Sequence, residues 1–574
     1  MSRKLFSLAA LAVVLTPFAT AQKPTSARPR PSRQVFAHYM GCCPVATGPQ
    51  AWHKKQEPKV LRHGRKDKAT RRGGHVRNWD LVPFGTTLTP EESADLEIRR
   101  AVRIGIDGFA VDAWAGHKDA RRSLDALFAA AEAKDYPFQI TICPDPACGG
   151  DLVGAVKYLL EKHGDSPKLA RRNSRPLIFG YSSTGLALWH VERQRPRASK
   201  ADIERLRVSP EGWELMGQAF REAERKVGQP VFYHYCLSHF FHRVPKQLYG
   251  TDTLTRAAGM LGKHLSALGG FGYLGPSTAD IAAAVKASGA EWSCPIGFYQ
   301  KENIPYEVHA GKGVDRMVAG WERVRDTEAT LLQFTTWNDY GENSNIAPAY
   351  NTRYTLYDLT GYFIAWWKTG APPKPERDKL YIISRKYPPA VKVFPFEQGP
   401  YKEGAIEVVT ILATPATVRL PGRDAEFEAP AGFFRKQFPV TPGPVVAELL
   451  RDGKVVLNLA NPEPVTERPF REDNSMVCMS TEFRHHWQAD FGKAPPLLWS
   501  EYGDTDNDGL PNWFEMYWFG TFGDLATATG AGPEDDPDDD EISNLDEYRA
   551  QSNPTLPAAP DEPGADALEN LLND

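Results

Sequence analysis

Two carboxylates stand three residues apart in the segment Trp337-Asn338-Asp339-Tyr340-Gly341-Glu342, in the company of two aromatic rings, a side-chain amide and a turn glycine. Nearby carboxyl groups can divide acid and base roles in cleaving a glycosidic bond, one protonating the departing oxygen while the other activates water or attacks the sugar. Chance alone places several Asp-x-x-Glu pairs in a chain of 574 residues. The pair therefore takes its meaning from the elements that hold it.

A second set of oxygen donors lies near the C-terminus. Asp504, Asp506, Asp508, Leu510, Asn512 and Glu515 occupy positions 1, 3, 5, 7, 9 and 12 of a loop with Gly509 at position 6. That is the EF-hand arrangement, in which hard oxygen ligands wrap Ca²⁺ and the last Glu binds through both oxygens. Asp536, Asp538, Asp540, Ile542, Asn544 and Glu547 repeat the frame 32 residues later, with Glu541 in place of the glycine. Paired loops of this kind resemble dockerin-like and thrombospondin type 3-like repeats, which implies attachment to a surface or scaffold, or a rigid spacer.

The supporting elements follow from apolar periodicity. Short apolar runs at 35–40, 108–112, 138–142, 177–181, 231–236, 268–273, 296–299 and 331–336 read as eight strands, and helical patterns separate several of them. The clearest helix starts at Thr89-Pro90-Glu91-Glu92: Thr89 can cap it, Pro90 suits its first position, Glu92 completes a capping box and Gly105 ends it. Eight strands interleaved with helices predict an α/β fold, a (β/α)8 TIM barrel over 35–372. Barrel enzymes build their sites from loops at the C-terminal ends of the strands, and the Trp337–Glu342 segment directly follows the last of them. His38, Asp112, Trp114, Asp145 and His234 also fall at or just past strand ends, so they are candidate substrate-binding residues beside Trp337, Asn338 and Tyr340. Trp337 and Tyr340 either stack on sugar faces or close the barrel mouth. Asp107 precedes its strand and belongs to the opposite face or to site support.

From 373 to 492 β-branched segments alternate with Gly and Pro turns, as in an antiparallel β-sandwich of accessory role. At the other end, Arg3 and Lys4, an apolar run over 5–18 and Ala19-Thr20-Ala21 form a signal peptide ending at residue 21, followed by a Pro- and Arg-rich linker over 22–34. The protein is expected to be secreted, or exported to the cell surface or periplasm. No later run reaches the roughly 20 apolar residues of a membrane helix. Seven Cys are too few and too odd in number to form the main scaffold. The formal net charge of −4 conceals an asymmetry, because residues 501–574 hold 20 acids and one base, leaving the rest at +15. Much of that excess sits at 53–77, with ten Lys or Arg, and reads as a solvated insertion. No nucleic-acid-binding module accompanies it.

Four segments together resemble one family: VFAHYM at 35–40, GIDGFAVD at 105–112, TWNDYGEN at 336–343 and DLTGYFIAWWKTG at 358–370. The family is glycoside hydrolase family 71, the α-1,3-glucanases or mutanases, and the likeness spans about 35–482. It implies an inverting endo-hydrolase of polysaccharide whose acid and base are the Asp and Glu of this segment, carried here by Asp339 and Glu342. The resemblance does not say which of the two is the acid; we take Glu342 as acid and Asp339 as base, with no cofactor for catalysis and Ca²⁺ confined to the tail, which lies outside the likeness. Where the family continues Ser-His-Tyr-Ile-Gly-Pro, this chain reads Asn343-Ser344-Asn345-Ile346-Ala347-Pro348. The usual Asn at the end of the second strand is Asp112, and the segment after the first is Gly41-Cys42-Cys43. These departures keep two alternatives in play: hydrolysis of another polysaccharide, such as an α-mannan or a sulfated glycan, and a non-catalytic glycan-binding or surface-assembly role.

Overall fold

The computed structural model describes residues 33–41, 88–112, 118–144, 152–180, 199–237, 250–270, 278–297, 313–340, 344–349, 351–389, 404–465 and 476–495, with parts of 504–557. The signal peptide, most of the linker and the basic insertion at 53–77 lie outside the described residues, as do Trp114, Asp145, Glu342 and Asn512.

Nine strands form the first sheet: β1 Gln34–Tyr39, β2 Gly108–Val111, β3 Gln139–Ile142, β4 Arg171–Arg172, β5 Arg175–Gly180, β6 Phe232–Cys236, β7 Ala267–Gly269, β8 Glu291–Ile296 and β9 Leu331–Phe334. Their order is 3-2-1-9-8-7-6-5-4, and every pairing is parallel except the short β4–β5 hairpin. At the far side, the Ile140 N–H donates to the Lys168 carbonyl at 2.8 Å and the Ala170 N–H to the Ile140 carbonyl at 2.9 Å. These bonds bring β3 to the segment that feeds β4 and β5, as a TIM-like barrel requires. Eight parallel strands thus stand where eight were expected. The seventh runs over Glu291–Ile296, not 296–299.

Helices alternate with the strands: α1 Pro90–Arg103, α2 Lys118–Ala133, α3 Leu152–His163, α4 Lys200–Arg207, α5 Pro210–Val227, α6 Thr251–Leu261, α7 Thr278–Ala287, α8 Asp315–Asp326 and α9 Thr355–Thr369. The capping box of α1 is formed, with the Glu92 N–H donating to Thr89 Oγ1 at 3.2 Å and the Thr89 N–H to Glu92 Oε2 at 2.8 Å. Its buried stripe, Ala94, Leu96, Ile98 and Ala101, faces the sheet and also contains two charged residues, Glu97 and Arg100.

The strand ends differ in chemistry. At the N-terminal end Arg172 donates to Gln34 Oε1 at 2.7 Å and to Glu291 Oε2 at 3.0 Å, and the Thr330 hydroxyl donates to Glu291 at 2.6 Å. Asp107 belongs here too, accepting from the Val35 N–H at 2.8 Å and from Lys368 at 2.6 Å. A polar plug therefore closes the bottom. Above it lies an apolar layer of Phe36, Ala110, Leu177, Phe179, Phe232, Ala267 and Leu331.

Two antiparallel sheets follow, built from β10 Lys379–Arg385, β11 Ile406–Leu412, β12 Ala416–Leu420, β13 Ala425–Ala429, β14 Gly432–Phe438, β15 Val446–Arg451, β16 Lys454–Ala460 and β17 Met476–Ser480. Their orders are 14-11-10-17 and 13-12-15-16. Leu380, Ile382 and Val408 from one sheet share a core with Val418, Leu420 and Leu449 from the other. The chain then returns to the barrel through α10 Phe483–Phe491, and α11 Asn544–Ala550 ends the second acidic loop.

Two buried ion clusters fasten these parts. Asp358 on α9 receives hydrogen bonds from Lys379 at 2.8 Å, Tyr381 at 2.5 Å and His486 at 2.8 Å. Asp490 on α10 receives them from Arg100 at 2.6 Å and Tyr354 at 2.7 Å, and its other oxygen pairs with the Arg103 guanidinium at 2.7 Å. Burial alone would raise the Asp490 carboxyl, but Arg100 and Arg103 outweigh it and hold it below the ordinary range. A carboxyl depressed in the folded state adds stability that is complete above its unfolded pKa of about 3.9 and is lost as pH falls through the folded value. Urea unfolding should therefore show wild-type stability falling steeply below about pH 4, whereas Asp490→Ala should cost about 3–5 kcal/mol at pH 7 and flatten the acid slope.

Candidate active site

The segment after β9 is folded back on itself. The Thr336 N–H donates to the Ser344 carbonyl at 3.0 Å, the Ile346 N–H to the Thr336 carbonyl at 3.1 Å and the Ala347 N–H to the Trp337 carbonyl at 2.9 Å. Between these arms the Asp339 N–H donates to Thr336 Oγ1 at 3.1 Å, and its carbonyl accepts from the Ser344 N–H at 3.2 Å. Asp339 is buried but for 9% of its surface, on a backbone fixed from both sides. Glu342, its expected partner, lies outside the described residues.

Two neighbours tie this loop to the barrel. The Trp337 backbone N–H donates to the His38 carbonyl at 2.7 Å, and its indole Nε1–H donates to Glu97 Oε2 on α1 at 3.0 Å. Trp337 has no exposed surface and packs on Phe109, with ring centres 5.1 Å apart. Of the two roles open to Trp337, this favours closing the barrel mouth over sugar stacking, because a ring sealed between a helix and two strands has no face to offer a ligand. Asn338 is an anchor as well: its Oδ1 accepts from the Met40 N–H at 2.7 Å and its Nδ2 donates to the Met40 carbonyl at 3.4 Å. Tyr340 is 3% exposed, which favours the mouth-closing role over stacking.

Beneath the loop, the ends of β1 and β2 bring His38 and Asp112 together. Nε2 of His38 lies 3.9 Å from Asp112 Oδ2, and both side chains are buried. Burial lowers the His38 imidazole to about 3, so it acts as a neutral hydrogen-bonding group. His234 on β6 is wholly buried, stacks obliquely on Phe179 at 4.8 Å and is likewise lowered to about 3 by burial. Neither of its ring nitrogens has a partner among the described residues. A Cβ on Gly269 would come within 2.3 Å of the Ser293 carbonyl oxygen and 2.7 Å of His234 Nε2, so the glycine leaves space for both the β8 backbone and the imidazole. Trp114 and Asp145 lie outside the described residues.

Sequence reading passed over Glu97, the residue that anchors Trp337. Its signal is a carboxylate inside the apolar stripe of an amphipathic helix, where a charge stands only if paired.

The acidic loops have matching backbones. Asp504 accepts from the Asp508 and Gly509 N–H groups at 3.1 and 2.8 Å, and Asp536 from the Asp540 and Glu541 N–H groups at 3.2 and 2.8 Å. Asn507 and Asp539 have φ of 58° and 59°, and Gly509 and Glu541 have 98° and 69°. Glu541 thus takes the left-handed turn that glycine makes at less cost. In each loop three carboxylates bring an oxygen within 4.8 Å of one another, while Glu515 and Glu547 at position 12 are 0% and 1% exposed. Oδ1 of buried Asn544, at position 9, has no partner among the described residues. Burial, with Asp540 and Asp536 adding to it, pushes the Asp538 carboxyl up to about 7. Crowded oxygens of this kind fit a hard cation. A third cluster, Asp358, Glu482 and His486, is already served by the Lys379 ammonium at 2.8 Å from Asp358 and 3.5 Å from Glu482.

Residues 276–484 match the model of Glycosyl hydrolase family 71. The chain carries a family 71 segment over these residues, and it is a glycoside hydrolase. The matched stretch holds β8, β9, the Asp339 loop, α9 and both antiparallel sheets, so it is narrower than the 35–482 likeness drawn from the motifs. No curated protein matches the chain. Among solved structures, a GH99 endo-alpha-mannosidase from Bacteroides thetaiotaomicron aligns at 14% identity over 59% of this chain and 98% of that one, with a TM-score of 0.38. A beta-glucuronidase from Bacteroides uniformis aligns at 12% identity over 68% and 45%, with a TM-score of 0.35. Likeness this distant carries no argument about substrate or mechanism.

Proposed function

We propose that this family 71 hydrolase is exported and cleaves an α-glucan, α-1,3-glucan first among the candidates, by a two-carboxylate inverting reaction. The observation that carries the reading is the Asp339 loop, held at the C-terminal end of a parallel barrel inside the family-matched segment. Glu342 as acid gives its proton to the glycosidic oxygen as that bond breaks. Asp339 as base takes a proton from the water that attacks the opposite face of the sugar. His38 and Asp112 then support the site from the ends of β1 and β2, and His234 from the end of β6, while Trp114 and Asp145 remain candidates for binding sugar hydroxyls. We read the antiparallel sheets as an accessory β-sandwich. The two acidic loops are the sites for Ca²⁺, in a tail that serves as an attachment module or spacer outside the reaction.

Reducing-sugar release across a polysaccharide panel tests this directly. Wild type should act on α-1,3-glucan, while Asp339→Asn and Glu342→Gln should each lose at least about 10³-fold in rate with an unchanged unfolding midpoint. Turnover of an α-mannan or sulfated glycan alone would move the substrate, and binding without turnover of any polymer would refute hydrolysis. Calorimetric titration of chelator-treated protein should find two Ca²⁺ per chain and one in Glu547→Gln; no uptake would overturn the calcium assignment.

A further inference from the structure

The start of α8 is held by the second domain. Its first residue is Asp315, and the residue before it, Val314, has no side chain able to cap the helix. The missing acceptor comes from β11: Glu407 Oε2 accepts the Val314 N–H at 2.7 Å. Glu407 is fully buried, and its other oxygen accepts from Arg435 at 2.8 Å and Gln437 at 3.2 Å, both on β14. Arg435 and Gln437 also donate to Asp315 Oδ1. Gly313 has a φ of 52°, and a Cβ there would lie 1.8 Å from Glu407 Oε2. The close approach is thus built into both partners. A carboxylate at a helix N-terminus satisfies an orphan N–H and complements the helix dipole.

The position of this contact gives it a consequence for the reaction. β8 runs parallel to β9, with Ile296 paired to Phe334, so both strands end on the face that bears Asp339. A helix returning antiparallel to β8 begins on that same face. Residues 313–315 accordingly stand on the rim of the catalytic end, one strand from the Asp339 loop.

We propose that Glu407 is a positioning residue for hydrolysis: the β-domain caps α8 in trans and thereby fixes the rim of the polysaccharide cleft. This rests on the glycosidase reading above. It makes the β-domain part of the substrate-holding machinery, with most effect on a long chain that crosses the rim.

The test compares wild type, Glu407→Ala and Glu407→Gln, which retains an acceptor for Val314. Hydrogen exchange of the 313–318 amides is read together with kcat and KM on the polymer found by the panel and on a small activated glycoside. Glu407→Ala should speed exchange at those amides and lower kcat/KM on polymer by about tenfold or more, mainly through KM. Small-glycoside turnover should stay within about twofold of wild type and Glu407→Gln should recover most of the loss. Should Glu407→Ala not fold, Arg435→Met is read in its place for the same exchange and KM changes. Unchanged exchange at 313–318, or faster exchange with polymer kinetics like wild type, would overturn the proposal. Absence of turnover by wild type would instead sink the glycosidase reading, and the exchange arm would still decide whether Glu407 holds the rim.

Discussion

The indole of Trp337 is the contact on which the arrangement depends. It is buried without remainder, donates to Glu97 on α1, and through its backbone takes the carbonyl of His38 at the end of β1. One residue thereby joins the first helix, the first strand and the last loop of the barrel. A neutral hydrogen bond adds only about 0.5–1.5 kcal/mol net, and one to a charged acceptor about 1.5–3. The larger effect is the penalty that a buried, unpaired Glu97 would carry, which excludes alternative settings of the loop. Asn338 repeats the logic on Met40. Asp339 follows these two anchors directly, so its backbone is placed before any substrate arrives, as electrostatic catalysis requires.

The same principle organises the larger parts. Asp358 and Asp490 each collect three partners, two of them from one element, β10 for Asp358 and α1 for Asp490, which joins α9 to the first antiparallel sheet and α1 to α10. Aromatic packing adds to the joint, with Phe433 of β14 set 5.2 Å from Phe363 and 5.7 Å from Tyr362 on α9. The segment DLTGYFIAWWKTG thus supplies a buried carboxylate and an aromatic face to the domain boundary. Its role is to hold the barrel and the β-domain together.

Much of this was legible from residue patterns. Strands buried on both faces leave short apolar runs, and eight of them in alternation with helices specify a parallel barrel. The seventh strand was misplaced because Glu291 and Pro295 argue against a strand, whereas the barrel uses Glu291 in its bottom plug and seats Pro295 opposite Gln333. Acidic loops announce themselves, since coordination demands donors at fixed intervals. Trp337 could not be assigned from sequence, because a stacking indole and a sealed one have the same letter and differ only in what α1 brings against them. Glu97 and Glu407 were missed for a related reason: each acts on a partner 240 or 93 positions away, a relation that only the fold creates.

The central claim is that the Asp339 carboxylate activates water on the sugar face opposite the leaving group. It is tested most directly by removing that carboxylate in Asp339→Gly and supplying azide with an activated α-linked glycosyl substrate, the product being read by proton NMR. Wild type should first release the β-anomer from this α-linked substrate, and turnover lost in the variant should return with azide as a glycosyl azide of inverted configuration. First release of the α-anomer by wild type, wild-type-like hydrolysis by the variant without azide, or an azide product of retained configuration would contradict it.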